Sequence, residues 1–334
     1  MRWLCISVLA HVKSVHHPAG GHAHAAREYT TAFAQEESHI FPWIRAMKLL
    51  KPKATDVFSI SAAADWPSIE FETDSTGEHT WAWTVAWGAF KKTGSVKTTG
   101  NKWNAGPVIS GYGGTLTVVV TIAKPTTPPP RTAAAVATTA MVAVKVTGTN
   151  PATTAVDAYL ATKPDSTGFE KIIAQEARYK HFNTKNEPIK SFDNGYGMCQ
   201  LTTPTPTFEQ VWNWKLNVDG GLKLFAQKRA SAISYLSQSS RTYTTEQLTY
   251  ETVCRWNGGS YHVWDTTALK WKRPSHILCD SKTGNIGWDM TDANNKDKTE
   301  ADLRKRDSAE FSKPPGSGAK WKYSGVCYAD HVLG

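Results

Sequence analysis

The sequence predicts two unlike halves. An all-β immunoglobulin-like sandwich over residues 55–149 precedes a mainly helical domain over 150–334, with 1–54 as a leader or flexible N-terminal region. Three observations carry this prediction: period-two alternation of apolar residues in the first half, a change of character at GTNPATT near Asn150, and apolar residues at helical spacing beyond it. A chain of 334 residues has room for roughly two or three domains of ordinary size.

In order along the chain, MRWLCISVLAHVKSVHH holds an apolar run from Trp3 to Ala10 that is short for a signal-peptide core and is followed by His11 and Lys13. The patch His16–His24 sits among Gly and Ala and reads as leader rather than metal site. In HTWAWTVAW, Trp81, Trp83, Val85 and Trp87 share one strand face, and in TLTVVVTI so do Leu116, Val118, Val120 and Ile122. SIEFET and MVAVKVTG add further strands, with DSTGE and GYGG as turns between runs. The Pro-rich 124–135 segment reads as a long loop before the last strand, and the sandwich as a spacer that positions the helical domain.

After Asn150, TTAVDAYLA predicts a short helix capped by Thr153 or Thr154. In STGFEKIIAQEARYKHF, Phe169, Ile172, Ile173 and Ala177 mark a helix with Ser166 or Thr167 as cap and Glu176 near its end. VDGGLKLFAQKRASAISYLSQS and TTEQLTYETVCRWNGG predict two longer helices. The tail from about Tyr261 is expected to be loop-rich, with an exposed helix over the charged run DKTEADLRKRD; DANNKD lacks the glycine and closing glutamate of a calcium loop.

Four segments stand in a fixed order: Glu176 near a helix end; Ser191, Asp193, Gly197 and Gln200 in SFDNGYGMCQLT; Asn217, Val218 and Gly221 in NWKLNVDGG; and Trp256, Asn257 and Gly259 in CRWNGG. Together they resemble the lytic transglycosylases and the related goose-type lysozymes, over roughly Thr153 to Gly259. The resemblance implies a lysozyme-like catalytic domain that cleaves the MurNAc–GlcNAc bond of peptidoglycan. It implies Glu176 as catalytic acid, with Ser191, Asp193, Gly197, Gln200, Asn217, Trp256, Asn257 and Tyr261 on the substrate side, and no metal or organic cofactor. About six extra residues around TKNEPIK separate the first two segments. Ala177 stands where the family has Ser, and Trp256 where it has Tyr. A phenol reaching the acid must then come from elsewhere, such as Tyr250 or Tyr261.

Cleaving a glycosidic bond requires an acid still protonated near neutral pH, and an apolar setting provides one by disfavouring the carboxylate. The product depends on a second carboxylate. Where goose-type lysozymes flank the turn with aspartates, this chain has Ser191 and Thr202. The expected outcome is therefore attack by the sugar's own 6-hydroxyl, giving a 1,6-anhydro product, with Glu176 as acid and then base. The alternatives are a muramidase using Asp193 and a non-catalytic peptidoglycan-binding protein.

The formal charge of +9 favours an anionic partner. No RNP-like, zinc-finger or basic-helix pattern accompanies it, so the wall is expected and nucleic acid is not. No apolar run approaches the roughly 18 residues of a membrane span. Action on the wall would place the protein in the periplasm or outside the cell, exported by a specialised secretion machinery or carried in a phage particle; an antibacterial effector fits the layout, and the sequence does not reveal an immunity partner. Five cysteines without metal-site spacing leave one disulfide among Cys254, Cys279 and Cys327, with Cys199 a buried free thiol. The fourteen Trp are read first as core residues and only second as sugar platforms.

Overall fold

The structure is a computed structural model that describes residues 47–122, 138–191, 194–280, 287–293, 295–304 and 324–334. The signal-like run, the histidine patch, the Pro-rich segment and Asp193 lie outside the described residues.

The first half forms strands Leu49–Lys51 (β1), Val57–Ile60 (β2), Glu70–Thr73 (β3), His79–Trp87 (β4), Phe90–Thr98 (β5) and Lys102–Asn104 (β6). A short helix, Gly106–Ile109 (α1), leads to Gly114–Ile122 (β7) and Thr138–Gly148 (β8). Five strands pair in the order β2-β8-β7-β4-β5, and β1-β3-β6 form a separate small sheet. β4 pairs antiparallel with both β5 and β7, whereas β2 joins β8 in parallel. The alternation placed the central strands correctly: Trp81, Trp83 and Val85 of β4 and Leu116, Val118 and Val120 of β7 are buried.

The immunoglobulin-like sandwich itself is not formed. The chain is a mixed α/β protein with several small sheets. Alternation reports which face of a strand is apolar, not what covers that face. Here the cover comes from two sources. Phe71 and Trp103 of the small sheet pack near Trp81, and Phe182, Tyr196, Phe208, Val211 and Trp212 of the second half join the same core.

The second half contains helices Thr153–Ala161 (α2), Phe169–Ala177 (α3), Phe208–Trp212 (α4), Trp214–Leu236 (α5) and Thr245–Asn257 (α6). Beyond α6 lie two hairpins, Val263–Asp265 (β9) with Lys270–Lys272 (β10) and Ile277–Cys279 (β11) with Gly287–Asp289 (β12), and then helix Gly325–Leu333 (α7). Local sequence explains the starts. Thr207 with Gln210 and Thr244 with Gln247 make reciprocal capping boxes on α4 and α6, and the Asn213 side chain accepts from the N–H groups of Lys215 and Leu216 on α5. Two expected caps differ. α2 starts after Ala152 without a side-chain cap, and α3 starts after Gly168, whose φ of +88° suits glycine. Ser166 instead donates its hydroxyl to the Leu160 carbonyl, closing the α2–α3 connection. α2, α3, α5, α6 and α7 share a second core built on Val156, Phe169, Ile172, Val218, Val253 and Tyr328. No helix among the described residues is long and apolar enough to cross a membrane.

The halves meet along aromatic side chains. Trp87 packs edge-on against Tyr196 and Trp212, with ring centroids 6.1 and 5.8 Å apart, and Phe90 stacks on Phe208 at 5.5 Å. Tyr112 donates a 2.6 Å hydrogen bond to Glu209, which pushes the phenol up to about 12. The Asn150 side chain accepts from the N–H groups of His181 and Phe182 and donates to the Phe182 carbonyl, clamping that strand-like segment under the sheet. Gly148 is required there by proximity, since a Cβ would lie 2.2 Å from the Phe182 ring. Gly148→Ala is expected to lower stability by about 1–3 kcal/mol through overpacking, measured by denaturant unfolding; an unchanged midpoint would show that the two halves do not share this contact.

Candidate functional site

The 191–201 segment folds back on itself as a tight double turn. The Ser191 N–H donates to the Gly195 carbonyl, and the Gly195 N–H donates to Ser191 Oγ at 2.8 Å. Tyr196 and Leu201 exchange backbone hydrogen bonds across the next turn, in which Gly197 has φ +71° and Gln200 φ +48°. The Gln200 amide donates to the Gly197 carbonyl at 2.7 Å. Gln200 thus stabilises its own turn.

One buried side chain fixes this turn to α5. Asn217 accepts from the Cys199 N–H and donates to the Tyr196 carbonyl, each at 3.0 Å. Gly197 has no room for a side chain, because a Cβ would stand 2.6 Å from both Asn217 Nδ2 and His181 Cε1. One helical turn beyond Asn217, Gly221 lets α5 approach Phe169 of α3 and Cys199, which a Cβ would meet at 2.6 and 2.9 Å. The spacing of Asn217 and Gly221 therefore has a packing meaning: the amide holds the turn, and the glycine brings the turn and α3 together.

His181 completes the lock. Its Nε2–H donates to the Val211 carbonyl at 2.9 Å, and Nδ1 accepts from the Met198 N–H at 3.4 Å, which defines the neutral tautomer. Burial holds its pKa down to about 4. Burial also pushes the free Cys199 thiol well up, with the nearby Glu176 carboxylate adding to the effect. The turn meets α3 through packing, with Cys199 and Phe169 in the same core beside Gly221.

Glu176 is half-buried in the last turn of α3. The next two residues after Ala177, Arg178 and Tyr179, both take left-handed backbone (φ +51° and +60°), so the chain turns sharply away just past the carboxylate. The buried Tyr328 of α7 donates a 2.7 Å hydrogen bond to Glu176 Oε1. α7 is anchored on either side of Tyr328. Cys327 forms a disulfide with Cys279 of β11, with Cα atoms 5.3 Å apart. Asp330 pairs with Arg273 at 2.7 Å and accepts from the Tyr261 hydroxyl at 2.6 Å.

The sequence-predicted residues fall into distinct places. Gly197, Gln200 and Asn217 belong to one assembly around the turn, Glu176 stands at the end of α3, and the half-buried Trp256 packs edge-on against Phe169 of α3 at 5.5 Å. Ser191 closes the turn's outer hairpin. Asn257 ends α6 ahead of Gly258 and Gly259, and its side chain makes no hydrogen bond among the described residues. The Tyr261 hydroxyl goes to Asp330 rather than to Glu176, and Tyr250 packs at a tilt against the Tyr261 ring, centroids 4.9 Å apart. The phenol bonded to Glu176 is Tyr328, which sequence reasoning missed. Its signal was a Ser followed by apolar residues at helical spacing in SGVCYADHVL, inside a tail expected to be loop. A pocket of about 220 Å³ is lined by Gly258, Gly259, Ser260, His276, Asp289 and Gly325 among others; Glu176 is not part of its wall. Among the described residues no group of three or more His, Cys, Asp or Glu could hold a metal.

The arrangement presents one carboxyl group, hydrogen-bonded by a phenol, at the end of a helix that shares its core with the turn. Comparison with family models, with curated proteins and with solved structures finds no match to the chain.

Two measurements check the lock. Asn217→Ala leaves a buried N–H and a buried carbonyl without their partner and is expected to cost about 1–3 kcal/mol. His181 binds its proton less readily folded (about 4) than at its ordinary 6.5, so its contribution is fully present above about pH 6.5 and is lost as the pH falls through about 4. Stability should therefore decline by roughly 3 kcal/mol across that window, with the His181 ring still neutral by NMR at pH 5. Protonation of His181 near 6.5 in the folded protein would contradict this.

Proposed function

We propose that this protein is a peptidoglycan lytic transglycosylase acting in the periplasm or outside the cell, with Glu176 as its single acid/base. The observation that carries the reading is the Tyr328–Glu176 hydrogen bond at 2.7 Å. Trp256 occupies the position where the resembled family has Tyr, and a phenol from another part of the chain stands at the acid. Support also comes from the turn at Gly197 and Gln200, held to α5 by Asn217 and packed through Cys199 in the same core as Phe169 of α3.

Glu176, protonated, gives its proton to the oxygen between MurNAc and GlcNAc as the bond to C1 breaks. The resulting carboxylate faces a sugar with oxocarbenium character. The MurNAc 6-hydroxyl then attacks C1 and returns its proton to Glu176, so the product is a 1,6-anhydro sugar and the enzyme ends as it began. Tyr328 orients the carboxyl group through one oxygen, which limits rotation away from the reacting bond. A hydrolytic outcome requires a second carboxylate to direct water, and Asp193 is the residue for that role.

Mass spectrometry of fragments released from purified sacculi is the test. The native chain should release anhydro-muropeptides and Glu176→Gln none. Reducing-end products would make the protein a muramidase, and sacculus binding without fragments would leave a binding protein. Tyr328→Phe should lower kcat about 10–100-fold with KM little changed, because it removes orientation rather than binding; a pure KM effect would remove Tyr328 from the acid.

A further inference from the structure

We infer that the Cys279–Cys327 disulfide gates the site, so that the protein is competent only after oxidation. The inference rests on the reading of Glu176 as the acid. Cys327 immediately precedes Tyr328, and both side chains are buried. One therefore ties α7 to β11 while its neighbour orients Glu176 across on α3. When the bond is reduced, the two sulfurs can no longer stay at covalent distance and must part by roughly 1.5 Å to reach van der Waals contact. The packing around Cys327 leaves little room for this. Its sulfur lies against Gly287 of β12 so closely that a Cβ there would stand 2.6 Å from it, and the same position faces Ser324 and Ile277 at 2.9 and 3.0 Å. The separation is taken up by α7 moving against β11. A helix of nine residues has little stability of its own, and α7 is held by its packing in the second core together with these anchors. Asp330 keeps its pairing with Arg273 and Tyr261 and acts as the pivot. Tyr328, one residue from the released sulfur, shifts off Glu176.

Closure is a thiol–disulfide exchange. The Cys279 and Cys327 thiols give up two protons and two electrons, one S–S bond forms between them, and the disulfide of a small-molecule or protein thiol oxidant is reduced to two thiols. Cys279 is the partly exposed partner and the sulfur open to exchange, whereas Cys327 is enclosed. Arg273 donates to Cys279 Sγ at 3.2 Å, and Asp330 Oδ2, paired with that guanidinium, lies 3.9 Å from the same sulfur. In a reducing compartment the chain is held with its acid unoriented, and an oxidising one completes the site.

The experiment compares the full chain in three forms: oxidised, reduced with a phosphine, and carrying Cys279→Ser with Cys327→Ser. Sacculus-fragment release is read beside amide hydrogen exchange of residues 325–333, with far-UV circular dichroism to confirm that each form stays folded. The expected result is at least a tenfold loss of release in the reduced and double-variant forms. Exchange in α7 should rise with it, and both should recover when the reduced wild type is reoxidised with oxidised glutathione. Equal release from all three forms would overturn the gate. If no form releases fragments, the transglycosylase reading fails on its own, and exchange decides the gate: unchanged protection of 325–333 on reduction overturns it, and increased protein-wide exchange with loss of circular dichroism does so too, by showing a purely structural disulfide.

Discussion

Asn217 presents both ends of its amide to the backbone of a single turn, accepting from Cys199 and donating to Tyr196, and does so with no solvent contact. A buried amide with both partners satisfied is specific about position, because any displacement strands a donor and an acceptor at once. Much of the site's geometry depends on that requirement. Gly197 must be glycine because the amide and His181 occupy the space of its side chain, and Gly221 must be glycine for α5 to reach Phe169 and Cys199. α3 is thereby fixed against the turn, and Glu176 stands at the end of α3.

The sheet-rich half takes part in this rigidity. Its apolar face closes on Tyr196, Phe208 and Trp212, residues that flank the turn in sequence or carry the helix next to α5. A simple spacer would need only a linker, whereas this sheet forms the back wall against which the turn is packed. The net charge of +9 remains a property of the surface and suits an anionic polymer, without choosing the reaction.

Much of the site was legible because its residues carry local signatures. Glycines with a packing or backbone requirement, an Asn three or four residues from a helical glycine, and an acid on an apolar stripe all leave a pattern in the sequence. The strands β4 and β7 were legible for the same reason, by alternation. What covers them was not, since Phe182, Tyr196 and Trp212 are far from them along the chain and no periodicity links the two. Tyr328 was hidden likewise: it is 152 residues from Glu176, and its helix is short. The resemblance points to Tyr250 or Tyr261 for a phenol at Glu176, whereas the fold brings Tyr328 there from the C-terminal helix. The pairing of Cys279 with Cys327 rather than Cys254 depends on the same docking, because it is the packing of α7 beside β11 that sets which thiols meet.

The most direct measurement is a crystal structure of Glu176→Gln with a bound GlcNAc–MurNAc oligomer. The predicted result has a glycosidic oxygen within hydrogen-bond reach of residue 176, with Tyr328 Oη still bonded to that side chain and the turn at Gly197 bordering the sugar. An oligomer lodged in the pocket between Ser260 and Asp289, with no sugar near residue 176, would contradict the proposal that Glu176, positioned by Tyr328, is the catalytic acid.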